Sequence, residues 1–509
     1  MLKFLANIFW QRRALYCYLV LSLWIFVIVI GVYRYLGKHV SGTSYYPALH
    51  LVEDNTADIQ ALKNNDLWFS DNRFKKVHKS CHPTNLIEVG SENVVNDNYT
   101  LEGIAVVFRH GDRGPMNHVR NLNAITCGYS DDSNVTELYS KYLTFMSINW
   151  SNQAYPSLFQ FLGQPNNHPS MPSSKQCDIG QLSLQGVMQH LKLGSILRNI
   201  YFDKLFAGVT QIHTNIIAYT TKYRRTFQSL NAFLFGFLKN EGFFKIPLNT
   251  VASMSYCFED CACPAKELYL KNAVKENNKR IRSNSDVLKM VEDISSVVYT
   301  FGDGSFIRDP HYLKDALMAY LCHNTHLPCL ATKCVYPQQA LKVFSYVDWD
   351  SRQLGKSIPR QKYCVLSAYG FIKNIVGHLL KIVSNERPKI VLYSAHDKTI
   401  QFLLTALGVT SNEAIFPPYA SRVIFEIYSS KEKDPATPKK FYFRLIFNGK
   451  DLTQKIKFCS AKNRIILTNY NAKTILCSFE SLIRFLHDDY FSIFNSTNFK
   501  DACIVSKNN

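Results

Sequence analysis

The pattern that most restricts the fold of this chain is a unit made of a short apolar strand, a polar turn and a helix. The unit occurs three times, and its strands are the runs 104–108, 215–219 and 389–393. Uninterrupted apolar runs of this length are typical of strands that are buried on both faces of a parallel sheet. Their alternation with helices predicts an α/β fold with a mainly parallel sheet flanked by helices.

Charged side chains follow each of these strands at its carboxyl end. They are Arg109, His110 and Arg113 after the first strand, Arg225 after the second, and His396 and Asp397 after the third. In open α/β sheets the carboxyl ends of the strands face the ligand crevice, so we expect these side chains to converge there. Guanidiniums combined with an imidazole are well suited to bind a phosphoryl group.

The same residues predict a mechanism for the hydrolysis of a phosphate ester. His110 would attack phosphorus as the nucleophile and form a phosphohistidine, while the three arginines stabilise the charge on the phosphoryl oxygens. Asp397 would be the proton donor to the leaving alkoxide and would then activate water. His396 would bind a phosphate oxygen or orient Asp397. This chemistry requires no metal and no cofactor.

Each of these groups has a structural explanation when it is taken alone. An Arg-His-Gly tripeptide is common, and Arg225 by itself would more often be a surface residue. Asp397 could stabilise the helix that it begins, because an acidic side chain is favourable in the first turn. The conjunction of three such groups, each between a strand and a helix, favours a catalytic site.

The rest of the chain predicts a second lobe. At 509 residues it exceeds the usual size of a single hydrophobic core. Residues 240–365 contain clustered cysteines and helical fragments, which predict a smaller, mostly helical inserted lobe. Residues 422–428 and 441–447 predict a closing antiparallel pair of strands.

Residues 14–33 predict a membrane anchor. They are uncharged and mostly apolar, lie between Arg13 and Arg34, and are long enough to span a bilayer. A cleaved signal peptide has a shorter apolar region followed by small residues, so we favour an uncleaved signal anchor. The predicted order is a cytoplasmic tail at 1–13, a transmembrane anchor at 14–33, a lumenal stem at 34–100 and a catalytic domain at 101–509.

Cysteines and sequons indicate that the catalytic domain is lumenal. Of the 14 cysteines, all but Cys17 follow the predicted anchor, and their odd number leaves at least one thiol unpaired. The expected glycosylation sites are Asn98, Asn134, Asn149 and Asn495. The cysteine clusters at 257–263 and 322–334 could bind zinc, but disulfides are the stronger expectation in an oxidising compartment.

Four sequence blocks resemble the histidine acid phosphatase family. Residues 109–115 match its signature R-H-G-x-R-x-P at every fixed position, and residues 393–397 resemble the second signature, which ends in His-Asp. Gly180–Ser183 with Gly186, and Arg225-Thr226 with Ser229, resemble two further blocks. The resemblance covers about residues 100–450 and implies an α/β domain with a smaller helical lobe. It also implies the roles proposed above for His110, Asp397, Arg109, Arg113, Arg225 and His396.

The resemblance leaves several substrates open, because the family includes acid phosphatases, inositol polyphosphate phosphatases and phytases. The anchor, the block spacing and residues 223–236 are most similar to a Golgi branch that removes the 2-phosphate from xylose in the glycosaminoglycan–protein linkage region. The expectation is therefore a single-pass type II Golgi membrane enzyme that promotes elongation of proteoglycan glycosaminoglycan chains. The alternatives are a secretory or endolysosomal acid phosphatase acting on small phosphate esters, lysophospholipid or inositol phosphates, and a catalytically silent membrane-anchored lumenal binding protein.

Two further features bear on partners and on the site. A formal net charge of +19 predicts an anionic partner, but the chain has no basic block typical of nucleic-acid binding, so no nucleic acid is expected. Lys398 and Arg224 depart from many relatives of the family. Either side chain could tune specificity or face solvent, and the charge of Lys398 near the site could favour phosphate or lower the pKa of Asp397.

Overall fold

Nine strands form one mixed sheet in the computed structural model of this protein. The structure describes residues 74–127, 133–150, 171–172, 177–239, 242–300, 308–409, 416–431, 439–469 and 472–505. The strands of the chain are β1 (Tyr99–Arg109), β2 (Ile216–Thr221), β3 (Leu248–Val251), β4 (Cys329–Leu330), β5 (Lys333–Cys334), β6 (Ile390–Ala395), β7 (Arg422–Ser430), β8 (Phe441–Phe447), β9 (Lys450–Asp451), β10 (Arg464–Asn469) and β11 (Ala472–Ser478). Strands β4 and β5 form a separate pair.

The sheet has the order β10-β11-β8-β7-β1-β6-β2-β3, and β9 pairs with β8. Strands β1, β6, β2 and β3 are parallel neighbours. The β7–β8 pair is antiparallel, which confirms the closing pair that the sequence predicts. Because β8 and β10 also run in the direction of β1, most of the strands share one direction.

Helices cover both faces of the sheet. They are α1 (Lys75–Cys81), α2 (Ser133–Trp150), α3 (Leu184–Phe206), α4 (Arg224–Leu238), α5 (Pro264–Arg282), α6 (Ser285–Val298), α7 (Pro310–Cys322), α8 (Pro337–Lys356), α9 (Ile358–Val383), α10 (Asp397–Ala406), α11 (Phe479–Arg484) and α12 (Phe499–Ala502). Helices α5 to α8 fall within the range predicted for the helical lobe.

Strand β1 is buried on both faces, which explains its uninterrupted apolar run. Ile104, Val106 and Phe108 pack in the core with α3 and α4. Ala105 and Val107 pack in the opposite core with α9 and α10. The sequence pattern therefore predicts this central strand correctly, because alternate side chains of a strand point to opposite faces.

Residues 74–98, which the sequence assigns to the stem, pack against the sheet. The disulfide Cys81–Cys322 joins this segment to the end of α7. An Oε1 atom of Glu92 accepts a hydrogen bond of 2.9 Å from Nε of Arg422 on β7. Both side chains of this ion pair are almost completely buried. The pair fixes the segment to β7, an interior strand of the sheet.

Disulfides account for both cysteine clusters for which zinc was the alternative. The described pairs are Cys81–Cys322, Cys127–Cys177, Cys257–Cys261, Cys263–Cys503, Cys329–Cys334 and Cys459–Cys477. Cys364 is a buried free thiol, so the expectation of an unpaired cysteine is confirmed. This set of disulfides fits a domain in an oxidising compartment.

The membrane and glycosylation predictions concern regions that the structure covers only partly. Among the described residues no helix is long and apolar enough to cross a bilayer. The predicted anchor at 14–33 lies outside the described residues, as do the side chains of Asn134 and Asn149. Asn98 and Asn495 are exposed.

We predict that Glu92→Ala strongly destabilises the domain. The substitution leaves the guanidinium of Arg422 buried without its carboxylate, which typically costs about 3–5 kcal/mol of unfolding free energy. Urea denaturation followed by fluorescence measures the change. Glu480→Ala is the matched control, because it removes the exposed pair with Arg484 and should cost less than about 1 kcal/mol. Equal losses in the two variants would contradict a role of Glu92 in fixing the segment.

Candidate active site

The parallel pairing of β1 with β6 brings the first and third charged groups together. Arg109 lies opposite Ala395 in the register of the two strands. The backbone N–H of His110 donates a 2.9 Å hydrogen bond to the carbonyl of Ala395. The rings of His110 and His396 are therefore neighbours, with centroids 5.5 Å apart.

Strand β2 adds the second charged group from the other side of β6. Helix α4 begins directly after this strand, and Arg225 lies in its first turn. Arg225 is close enough to His110 to influence its pKa. The structure thus brings together all six side chains that the sequence singles out.

His110 is held as a neutral imidazole. Its Nδ1 lies 2.8 Å from the carbonyl oxygen of Gly111, so Nδ1 carries the proton and donates it to that oxygen. Burial, followed by the charges of Arg225 and Arg109, holds the pKa of His110 well below its usual value. The lone pair of Nε2 is therefore available for nucleophilic attack.

The three arginines carry guanidinium donors without acceptors. Arg109, Arg113 and Arg225 are 3%, 6% and 9% exposed. The Nε atom of each is buried and has no hydrogen-bond partner among the described residues. Burial and then the charge of Arg113 lower the pKa of Arg225 to about 10. Buried donors without acceptors are costly, so this cluster favours an anion.

Arg109 is positioned by the segment that precedes β7. Its Nη1 donates a 2.7 Å hydrogen bond to the carbonyl of Pro417. Its guanidinium also lies 4.3 Å from the ring centroid of Tyr419. These contacts fix the plane of the guanidinium.

His396 is oriented by a hydroxyl chain. Its Nε2 lies 2.9 Å from Oγ1 of Thr221, which in turn lies 2.8 Å from Oγ1 of Thr226. Burial and then the charge of Arg225 lower the pKa of His396 to about 3. The imidazole is therefore neutral over the physiological pH range.

Asp397 lies at the solvent side of the cluster. Its Oδ2 is 3.3 Å from Nη2 of Arg109, and 31% of its side chain is exposed. Burial would raise its pKa, but the charges of Arg109 and Arg113 outweigh burial and lower the pKa to about 2.

Lys398 affects Asp397 through its backbone. Its N–H donates a 2.7 Å hydrogen bond to Oδ1 of Asp397, which contributes to the low pKa of the carboxyl group. The Lys398 side chain itself is exposed. The prediction that this side chain faces solvent is therefore confirmed, while the charges that lower the pKa of Asp397 come mainly from Arg109 and Arg113.

Asp315 of α7 is a site residue that the sequence does not reveal. Its Oδ1 and Oδ2 accept hydrogen bonds of 2.7 and 3.3 Å from Nη2 and Nη1 of Arg113. It also accepts a 3.2 Å bond from the backbone of Met116. The helical lobe therefore orients one arginine of the cluster.

The buried side chain of Asp112 stabilises the turn that follows β1. Its Oδ2 lies 2.8 Å from Nε2 of His323 and accepts a 2.5 Å hydrogen bond from Oγ of Ser183. Burial would lower the pKa of His323, but the charge of Asp112, the hydrogen bond to Asp112 and a backbone hydrogen bond to Thr126 together raise it. Asp112 occupies the first variable position of the signature R-H-G-x-R-x-P. Its side chain thus connects the turn to α3 and to the end of α7.

Comparison with known proteins identifies the family. The model of the histidine phosphatase superfamily (branch 2) matches residues 100–448. The chain belongs to this superfamily. It is therefore a phosphatase, and the resemblance that its sequence blocks indicate is confirmed.

The curated relatives of this histidine phosphatase cover most of its length. The protein 2-phosphoxylose phosphatase 1 of Danio rerio is 26% identical over 512 residues, with 95% of this chain and 98% of the relative covered. The Homo sapiens protein of the same name is 27% identical, with 83% of this chain and 85% of the relative covered. Lysosomal acid phosphatase of Bos taurus is 25% identical and covers 68% of this chain and 71% of the relative.

Solved structures confirm the histidine phosphatase fold. The multiple inositol polyphosphate phosphatase of Bifidobacterium longum in complex with phosphate superimposes with a TM-score of 0.50 at 14% identity. The match covers 81% of this chain and 96% of the bacterial protein. At this identity the likeness concerns the fold alone.

We predict that Asp315→Asn weakens catalysis through Arg113. The amide cannot accept two hydrogen bonds from the guanidinium, and a misplaced clamp should lower kcat/KM about 10- to 100-fold. A double-mutant cycle with Arg113→Ala measures the coupling, because Asp315→Asn should have no further effect once the guanidinium is gone. Asp293→Asn, which removes an exposed pair with Lys333 on the same lobe, is the control. Additive losses in the cycle would refute the coupling.

Proposed function

We propose that this phosphatase hydrolyses phosphate monoesters through a phosphohistidine on His110. The observation that carries the proposal is the group of three buried Nε–H donors without acceptors near the neutral imidazole of this residue. A phosphoryl group would supply acceptors for Arg109, Arg113 and Arg225. Nε2 of His110 would then attack phosphorus in line with the leaving oxygen.

Asp397 is proposed to carry the proton in both steps. A bound phosphate shares the charges of Arg109 and Arg113, which removes the main cause of the low pKa of Asp397 and lets the carboxyl group accept a proton. Asp397 then donates this proton to the leaving alkoxide, and as a carboxylate it activates the water that attacks the phosphohistidine. His396 would bind a phosphoryl oxygen or orient Asp397, and Thr221 holds its ring through Nε2.

The proposed substrate is the 2-phosphate of xylose in the glycosaminoglycan–protein linkage region. The relatives named 2-phosphoxylose phosphatase 1 cover most of this chain, and one of them almost to its full length. The predicted anchor at 14–33 and the disulfides support a type II Golgi membrane protein with a lumenal catalytic domain. Glycosylation is proposed at the exposed Asn98 and Asn495, and at Asn134 and Asn149.

We predict that the effect of Asp397→Asn depends on the leaving group. Hydrolysis of an alkyl phosphate should fall about 10²- to 10⁴-fold, because its alkoxide requires a proton. Phosphorylation by 4-nitrophenyl phosphate should change less, and the phosphoenzyme should accumulate because its hydrolysis lacks a base. Rapid acid-free quenching of the ³²P-labelled protein measures the acid-labile phosphohistidine.

Two variants control this experiment. Lys398→Gln changes the neighbouring exposed side chain and should retain activity within about twofold. His110→Ala should abolish labelling. The proposed role of Asp397 in proton transfer would be contradicted if Asp397→Asn slowed the hydrolysis of both esters equally and no phosphoenzyme accumulated.

We predict that the protein removes phosphate from linkage-region xylose in cells. Expression of the wild type in cells that lack the endogenous activity should lower xylose phosphorylation and lengthen the glycosaminoglycan chains. Mass spectrometry of the released linkage oligosaccharides measures the phosphorylation, and size-exclusion chromatography of the intact released chains measures their length, with His110→Ala as the inactive control. The level of xylose phosphorylation could stay unchanged while the same preparation hydrolyses lysophosphatidic acid or inositol phosphates. In that case one of those esters would take the place of xylose phosphate as the proposed substrate.

A further inference from the structure

Tyr223 is an exposed aromatic residue beside the phosphate-binding cluster. The exposed aromatic side chains among the described residues are Tyr223, Tyr312 and Tyr336. Tyr223 is the one that contacts the cluster. Its ring centroid lies 4.6 Å from the guanidinium carbon of Arg225 and 5.0 Å from the ring centroid of His396. A large, partly apolar side chain therefore borders a site that consists mainly of charged and polar groups.

The backbone fixes the position of Tyr223. The residue lies directly before α4 in an extended conformation, and its carbonyl accepts hydrogen bonds from the backbone N–H groups of Thr226 and Phe227. The same carbonyl accepts a 2.8 Å hydrogen bond from Oγ1 of Thr226. The tyrosine hydroxyl makes no hydrogen bond to any residue that the structure describes. The start of the helix therefore places the ring, and the hydroxyl is not needed for this.

A structural role of Tyr223 is to cover the guanidinium of Arg225. A cation above an aromatic ring is favourable, so part of the function of the ring is to orient this arginine. The contact nevertheless leaves 37% of Tyr223 exposed. A single exposed tyrosine is common on protein surfaces. Its position is what distinguishes this one, because ligand sites combine aromatic side chains with a few well-placed polar groups.

The position of Asp397 indicates which part of a substrate meets the ring. In the proposed mechanism Asp397 protonates the leaving alkoxide, so the alcohol part of the ester lies on the solvent side of the cluster, where this carboxyl group is partly exposed. Arg225 lies close enough to both Asp397 and Tyr223 for each of them to influence its pKa. The ring of Tyr223 thus borders the space that the alcohol part would occupy.

Met116 adds a second exposed apolar side chain near Arg225. It is 39% exposed and lies beside Gly180, whose carbonyl accepts a 3.4 Å hydrogen bond from Nη1 of Arg225. A Cβ atom at position 180 would lie 3.4 Å from the sulfur of Met116 and 3.8 Å from that Nη1 atom. Apolar surface is therefore available close to the phosphate-binding donors.

We propose that Tyr223 stacks on the saturated ring that carries the phosphate and makes the enzyme specific for cyclic sugar esters. This inference rests on the proposed function, in which the ester is a xylose 2-phosphate. A β-xylopyranose ring has axial C–H groups on both faces, and C–H groups are attracted to the electron-rich face of an aromatic ring. The phosphate oxygen is bonded directly to C2, so the sugar ring lies next to the bound phosphate, where a side chain at the border of the cluster can contact it.

The test compares the hydrolysis of two secondary alkyl phosphates by the full chain. They are methyl β-D-xyloside 2-phosphate and glycerol 2-phosphate. Both release a secondary alkoxide, so they differ mainly in the presence of the ring. The variants are Tyr223→Ala and Tyr223→Phe, and Tyr336→Ala is the control because it removes an exposed tyrosine outside the site.

The ratio of kcat/KM for the xyloside to kcat/KM for the glycerol ester should fall about 10- to 100-fold in Tyr223→Ala. Tyr223→Phe keeps the aromatic face and should retain this ratio within about threefold. The control should retain both activities within about twofold. Competitive inhibition by inorganic phosphate measures the arginine cluster separately, and its Ki should change much less than the ratio.

The possible results have distinct meanings. An equal loss for both esters in Tyr223→Ala, together with weaker inhibition by phosphate, would overturn the proposal, because the ring would then only position Arg225. A wild type that leaves the xyloside intact would refute the proposed substrate, and myo-inositol 1-phosphate would then serve as the cyclic ester. A ratio that depends on Tyr223 for this ester would still support the stacking role, whereas a ratio independent of Tyr223 would overturn it.

Discussion

The parallel pairing of β1 with β6 is the interaction on which the rest of the site depends. It places Arg109 and His110 beside His396 and Asp397, although nearly 290 residues separate the two groups in the chain. Both strands are buried on both faces, so a slip of their register would exchange the two cores as well as disperse the site. Fold stability and catalytic geometry therefore depend on the same set of backbone hydrogen bonds.

That pairing brings several positive charges together in a buried region. Neighbouring side chains therefore have to compensate part of this charge. Asp397 and Asp315 compensate part of the charge, one from the helix that follows β6 and the other from the helical lobe. Tyr419 adds an aromatic face beside Arg109. The remaining excess is what makes the site selective for an anion, because electrostatic preorganisation requires donors that no protein acceptor satisfies. Helix α7 thus contributes to the charge balance of the cluster through Asp315.

The sequence predicts the strands and their charged ends well, because an apolar run that stops at Arg109 or at His396 carries a local signal. Asp315 and Tyr419 carry no such signal, since each acts on an arginine that is about 200 or more residues away and belongs to no motif. The same holds for Glu92, whose partner Arg422 lies on the other side of the catalytic domain in sequence. The low pKa of Asp397 also depends on distant arginines, and its neighbour Lys398 contributes only a backbone N–H.

The titration of the buried histidines makes the folded state less stable at acidic pH. His396 has a pKa of about 3 in the folded protein and about 6.5 when unfolded, so the unfolded state binds more protons between these values. Stability therefore falls as the pH decreases through about 6.5, and the buried His110 acts in the same direction. Under the proposed mechanism Asp397 needs a proton, which low pH supplies, yet low pH also favours unfolding of the site. In the proposed mechanism a bound phosphate would resolve this conflict, because its charge would raise the pKa of Asp397 while it binds the folded state.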